Sequence, residues 1–201
     1  MEPLARVIDL GFAEVRVPPG THVCQIYTDP KERDGALLRF LATGLRSDEL
    51  TACFSDNIGA DTVDAWLAKD GLSVPTERDA GRLTLASASG VYFQDGRFDP
   101  DRMLDMLAAF HADSVRAGSS GARVIGEMSP EIDRVPGGSR LMEYEASVNR
   151  LLRTHPVTAV CQYDARAFDG ETIMDVLTVH PMMFVRGAVI QNPFFVTLER
   201  P

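Results

Sequence analysis

Strand-like apolar runs alternate with segments of helical period along most of the chain, and this alternation constrains the fold more than any motif does. His22–Tyr27 (HVCQIY) reads as a short strand bounded by turn residues. Asp29-Pro30 then opens a helix, with Asp29 as cap and Pro30 in the first turn, and Ala36, Leu37, Phe40 and Leu41 forming its apolar face. Leu50–Ser55 (LTACFS) predicts a second strand, and Asp56–Asp70 a helix with Val63, Trp66 and Leu67 on one side, ended by Gly71. Leu83–Ala86 is a third strand, followed by a polar connection over Ser87–Arg97 and a helix from Asp99 to about Ala117. Val124-Ile125 marks a strand that ends at Gly126-Glu127. Leu141, Tyr144, Val148, Leu151 and Leu152 mark the next helix, and Val157–Tyr163 (VTAVCQY) the next strand. Met182–Leu198 reads as a hairpin turning at Arg186-Gly187, with a final extended piece at Phe194–Leu198.

Strands alternating with helices imply right-handed crossovers and a mainly parallel sheet covered on both faces, to which the C-terminal hairpin adds an antiparallel edge. The expected organisation is an N-terminal extension, residues 1–19, packed on one α/β domain, residues 20–201. The extension has short apolar runs over Ala5–Val17, broken by Gly11 and closed by the turn Pro18-Pro19-Gly20. A chain of 201 residues buries roughly 70% of its unfolded surface, so its core requires neither disulfide nor metal.

Composition removes several functions. A formal charge of −9 opposes coating of nucleic acid or binding to an anionic membrane. The chain has no run of roughly 20 apolar residues, and Met1–Leu10 lacks the basic start and apolar block of a secretory leader. Cys24, Cys53 and Cys161 are scattered and odd in number, as suits reduced thiols in a cytoplasm.

The loop after the first strand is where an α/β nucleotide-binding protein carries its phosphate cradle. Here it reads Thr28–Gly35, TDPKERDG, without Gly-Lys-Ser/Thr and with Asp29, Glu32 and Asp34 opposing an anion, so ATP hydrolysis is not expected. His22 and Cys24 share one strand face, Cys161 and Tyr163 share another, and His180 precedes Pro181. These are zinc-compatible residue types, but no CxxC spacing accompanies them, the packing reading outweighs the metal reading, and no metal is assigned. Glu127 ends a strand on the crevice side of the sheet. Glu145 lies on the apolar stripe of its helix and so needs a partner; a salt bridge to Arg123, Arg140 or Arg150 outweighs a role lining a small-molecule pocket. Met128, Tyr144, Tyr163, Met182, Met183 and Phe184 read as core packing ahead of the lining of an apolar pocket. No nucleophile elbow, Ser-His-Asp order or pair of catalytic acids emerges, and the chain is not expected to be an enzyme.

HVCQIY, GLRSDE at Gly44–Glu49, GRL at Gly81–Leu83, RVIGEMS at Arg123–Ser129, YE at Tyr144-Glu145, CQYD at Cys161–Asp164, HP at His180-Pro181 and NPFF at Asn192–Phe195 form an ordered series. In order and spacing they resemble the MEDS domain, a sensory domain named from methanogens and methylotrophs, over roughly Gly20–Phe195. The resemblance implies a three-layer RecA/KaiC-like domain whose phosphate loop has degenerated, with Glu127 as a relic of the metal-supporting acid. It also implies a non-enzymatic sensory module with a ligand site beyond the first, fourth and fifth strands, drawn from His22, Cys24, Tyr27, Glu127, Met128, Glu145, Cys161, Tyr163 and His180. No cofactor is implied. Family members stand in front of histidine-kinase, anti-sigma-factor-type kinase or DNA-binding modules, and none follows Pro201, so output is expected through such a partner in trans or through a homodimer. A ligand-free protein-interaction module and a residual nucleotide binder are the alternatives.

Overall fold

The computed structural model describes residues 6–196. In chain order its elements are β1 (Ile8–Asp9), β2 (Arg16–Val17), β3 (His22–Tyr27), α1 (Pro30–Arg46), β4 (Glu49–Phe54), α2 (Ala60–Leu67), α3 (Val74–Asp79) and β5 (Leu83–Ala86). There follow α4 (Ala88–Tyr92), α5 (Pro100–Arg116), β6 (Gly121–Glu127), α6 (Leu141–Leu151), β7 (Val157–Asp164), α7 (Gly170–Val179), β8 (Met182–Val185) and β9 (Ala188–Gln191).

The seven-stranded sheet has the order β5-β4-β6-β7-β3-β8-β9. Every neighbouring pair is parallel except β8–β9, so the hairpin's first arm joins the parallel sheet and its second arm forms the antiparallel edge. Arg186 (φ 48°) and Gly187 (φ 82°) make its turn, both left-handed as a two-residue hairpin connection requires. β1 and β2 pair separately as a short antiparallel ribbon.

The alternation of side chains along each strand separates two cores. On one face α1 presents Leu37, Phe40 and Leu41, α2 presents Val63 and Leu67, and the N-terminal segment adds Leu10, Phe12 and Val17. On the other face α4 to α7 bury Tyr92, Met103, Leu107, Tyr144, Val148 and Val176. Helices on both sides of the sheet complete the three layers expected from the alternation. α1 starts where Asp29 accepts from the Lys31 amide at 2.9 Å, with Pro30 in the first turn.

Local structure departs from the sequence reading in four places. The helix expected from Asp56 begins at Ala60, because the Asp56 carboxylate is drawn to Ser87 (2.6 Å) and to the Ser89 amide (2.9 Å). Those contacts, with Ser87 capping the Gly90 amide at 3.1 Å, support α4 inside the stretch expected to be a polar connection. α3, capped by Ser73, was not anticipated. The extended piece expected at Phe194–Leu198 is a turn where Phe195 N donates to Asn192 O at 3.2 Å, and Thr197 and Leu198 lie outside the described residues.

At the N-terminal end of the strands, Arg123 is 1% exposed and pairs with buried Glu49. Its guanidinium also donates to the carbonyls of Phe40 (3.0 Å) and Asp9 (3.1 Å) and lies 4.7 Å from the Phe40 ring centre. Arg123 is therefore committed to tying α1 and the N-terminal segment to the sheet.

Candidate functional site

The carboxyl ends of β3, β4 and β6 meet at Glu127. Its Oε1 accepts from Tyr27 Oη (2.9 Å), Arg33 Nη1 (2.7 Å) and Asn57 Nδ2 (2.8 Å), and its Oε2 accepts from Ser55 Oγ (2.8 Å). Burial alone would raise the Glu127 pKa, but donation from Asn57, Ser55, Arg33 and Tyr27 outweighs it and holds the carboxyl below its ordinary value. Burial and the facing Glu127 charge push the Tyr27 phenol up, so it remains a donor. Arg33 is seated in turn by Asp34 at 2.7 Å. Beneath it, Gln162 Nε2 donates to Gln25 Oε1 (2.7 Å) and to the Arg33 carbonyl (3.2 Å), fixing the first turn of α1 over the sheet.

This arrangement occupies the position of a phosphate cradle with groups that reject phosphate. The Asp29 carboxylate takes the Lys31 amide that would face an anion, and Arg33 is spent on Glu127 and Asp34. Above Glu127 opens a crevice of about 210 Å³ whose walls include Tyr27, Asp56, Asn57, Met128, Ser129 and Asp164. That is below the ~300–1,000 Å³ typical of pockets for drug-sized ligands. Asp56, Glu127 and Asp164 line this crevice and no basic side chain among the described residues does, so its wall carries no positive charge.

A second polar constellation lies on the opposite face of the sheet, under α6 and α7. His22 of β3, Glu145 of α6, Cys161 of β7 and His180 just after α7 bring one ligand-type atom each within 4.8 Å of one another. His22 Nε2 is 3.3 Å from Glu145 Oε2 and 3.4 Å from Cys161 Sγ; His180 Nε2 is 3.6 Å from Glu145 Oε2, and Cys161 Sγ is 3.7 Å from it. Tyr163 donates to the other oxygen, Oε1, at 2.6 Å. Burial would raise Glu145, but donation from the Tyr163 hydroxyl opposes it, and the carboxyl lies below its ordinary value. Burial, with His22 alongside, pushes His180 down to about 3, so its imidazole is neutral at pH 7.

Two separate groups thus emerge from the residues singled out in the sequence. Tyr27, Glu127 and Met128 line the crevice, whereas His22, Glu145, Cys161, Tyr163 and His180 form the buried cluster. Cys24 belongs to neither: its Sγ lies 3.7 Å from the Met182 carbonyl, and burial pushes its thiol up to about 12. The Arg partners expected for Glu145 are a correction. Arg123 binds Glu49, Arg140 binds Glu143 at 2.8 Å, and Arg150 donates to Ser147, while Glu145 faces histidines. Arg33, Ser55, Asn57 and Asn149 were missed. Arg33 sits three and four residues before Ala36 and Leu37, on the buried stripe of α1, and that periodicity is a legible signal.

The fold is similar to that of the flagellar accessory protein FlaH from Methanocaldococcus jannaschii, with a TM-score of 0.66 and 12% identity over 93% of this chain and 84% of that one. It is also similar to the KaiC-like protein PH0186 from Pyrococcus horikoshii OT3, with a TM-score of 0.63 and 13% identity over 90% and 80% of the two chains. These likenesses make the domain RecA/KaiC-like in architecture, as the resemblance implied. Residues 21–181 match the family model of MEDS, the MEthanogen/methylotroph, DcmR Sensory domain.

The chain belongs to the MEDS family.

Both the crevice residues and the buried cluster fall within the MEDS region. The transcriptional repressor DcmR of Methylorubrum extorquens is 24% identical over 160 residues, which are 79% of this chain and 57% of the repressor. This MEDS chain therefore matches little more than half the length of that relative. Among the described residues, no helix is long and apolar enough to cross a membrane.

Proposed function

We propose that this MEDS domain is a non-enzymatic, cytoplasmic sensory module that binds a small uncharged or cationic molecule in the crevice above Glu127. The observation that carries this reading is the Glu127 network: a buried carboxylate joins α1 and the loop after β4 to the end of β6 beside a crevice of about 210 Å³. An entering hydroxyl or amine competes with Asn57 or Arg33 for the carboxylate. The displaced donor moves the start of α1 or the loop before α2, and a partner reads the change. Such a response requires the ligand to bind the two arrangements with different affinity. The phosphate-hostile loop argues against nucleotide, and the commitment of Glu127 to its donors argues against acid–base chemistry there. The repressor relative favours a transcription regulator as the partner, ahead of a histidine kinase or an anti-sigma-type kinase.

The test is a titration of the labelled full chain with small alcohols, amines and amides, followed by amide chemical shifts. Saturable shifts at Tyr27, Asn57 and Met128, lost in Glu127→Gln, support the reading. Absence of any saturable shift at these residues at millimolar ligand, or saturable displacement by ATP with Mg²⁺, overturns it.

Strand β9 favours a second reading as an interaction module. It is the sheet edge and leaves Ile190 44% exposed, a template for pairing with another chain. Light scattering that finds a dimer dissociated by Ile190→Lys distinguishes this reading.

A further inference from the structure

The buried cluster on the other face of the sheet has an unsolved hydrogen-bonding problem. His180 is 0% exposed, and its Nδ1 lies 2.8 Å from the Val176 carbonyl, which can only accept, so Nδ1 carries the proton. Nε2 then presents a lone pair to Glu145 Oε2 and has no hydrogen-bond partner among the described residues. His22 is set in the same way. Asn149 donates through Nδ2 to the Val179 carbonyl at 2.5 Å, which turns its Oδ1 toward His22 Nδ1 at 3.1 Å. Tyr163 occupies Glu145 Oε1 and leaves Oε2 facing both Nε2 atoms. Two imidazole nitrogens, a carboxylate oxygen and a sulfur converge on one point. The Cys161 thiol can serve Glu145 Oε2 at 3.7 Å, but His180 Nε2 is still left as a buried acceptor facing an acceptor, which is costly unless a cation lies between them.

We propose that His22, Glu145, Cys161 and His180 form a four-coordinate transition-metal site, with Zn²⁺ as the cation that fits it best. The distances agree with this assignment. Zn–N and Zn–O bonds of ~2.0–2.2 Å and a Zn–S bond of ~2.3 Å give tetrahedral edges of about 3.3–3.6 Å. Four of the six edges are 3.3, 3.4, 3.6 and 3.7 Å, and the other two, from His180 to His22 and to Cys161, lie within 4.8 Å. The charges also balance, because one carboxylate and one thiolate neutralise a divalent cation while the imidazoles bind neutral. Binding releases the Cys161 proton to solvent. Val176 O and Asn149 Oδ1 orient the two imidazoles, as outer partners do around metal-bound histidine. The thiolate with imidazoles favours zinc over the hard cations, which prefer all-oxygen sites. The cation would join β3, β7, α6 and the α7–β8 corner, and so brace the sheet against its cover independently of the crevice.

Untagged full-length protein, stripped with chelator, is titrated with Co²⁺ and then with Zn²⁺. The expected result is about one equivalent bound, with tetrahedral cobalt bands and a thiolate-to-cobalt charge-transfer band, both abolished by zinc. Cys161→Ser removes the charge-transfer band. Asn149→Ala, which touches no cation in this arrangement, weakens binding about 10–100-fold. Less than about a tenth of an equivalent bound by the folded wild type, or a charge-transfer band that persists in Cys161→Ser, overturns the proposal. In the first case the cluster is a hydrogen-bonded ion pair only. If either variant does not fold, the stoichiometry and charge-transfer band of the wild type decide alone.

Discussion

Arg33 Nη1 donates to Glu127 Oε1 across 2.7 Å, joining the first turn of α1 to the end of β6 at side-chain exposures of 8% and 6%. The two residues are 94 positions apart, and their pairing leaves Arg33 without free charge at the end of the sheet where a nucleotide-binding protein of this architecture holds phosphate.

Arg33→Met removes the charge but keeps the length. Glu127 retains Tyr27, Ser55 and Asn57 as donors, so the expected loss is about 1–3 kcal/mol rather than the full cost of an orphaned buried charge. The midpoint of urea unfolding at neutral pH measures it; an unchanged midpoint would show that the pair carries no stability.

Glu127 also sets a pH dependence. Its folded pKa lies below the ordinary value of 4.5, so the unfolded chain binds its proton more readily as acid is added. Its contribution is therefore present above about pH 4.5 and is lost as pH falls through the depressed folded value. Thermal midpoints from pH 7 to pH 3 should fall more steeply for wild type than for Glu127→Gln. Parallel curves would contradict the assignment.

At the other end of the strands, Arg123→Ala leaves Glu49 buried without its partner. A loss of about 3–5 kcal/mol is expected, because a broken buried pair leaves an uncompensated charge. Chemical denaturation of the purified variant, with circular dichroism as the probe, gives the difference. A loss below 1 kcal/mol on the scale of exposed pairs would mean that water reaches Glu49.

Gly126 tests the packing between the two sites. A Cβ there would lie 2.0 Å from Tyr92 Oη but 3.3 Å from Cζ, so the hydroxyl is the main obstacle. Gly126→Ala is expected to cost about 1–3 kcal/mol through overpacking, and adding Tyr92→Phe should restore a large part of it. A double variant no more stable than Gly126→Ala would show that the backbone, not the hydroxyl, resists the change.

Much of the fold is legible in the sequence. HVCQIY, LTACFS and VTAVCQY become β3, β4 and β7 to within a residue at either end, since apolar runs between turn residues are local information. The sequence reading drew one ligand site from residues that the fold divides between two, although the parity of one strand signals the division. Tyr27 is five residues after His22 on one strand, so the two side chains point to opposite faces. The helix start at Ala60 was not legible, because the pull on Asp56 comes from Ser87 and Ser89, more than 30 positions away.

What the sequence determined by itself is the α/β alternation, the acidic loop that excludes a phosphate cradle, and the set of polar residues placed against apolar neighbours. Which of them meet was decided by tertiary structure alone. The sheet order β4-β6-β7-β3 brings Glu127 beneath Arg33 and Cys161 beside His22, at separations of 94 and 139 residues. Hydrophobic period is set by a residue's nearest neighbours and survives in the linear text. A buried carboxylate takes its donors from whichever strands the fold lays beside it, so whether Glu145 faces an arginine or two histidines was settled only when the strands were in register.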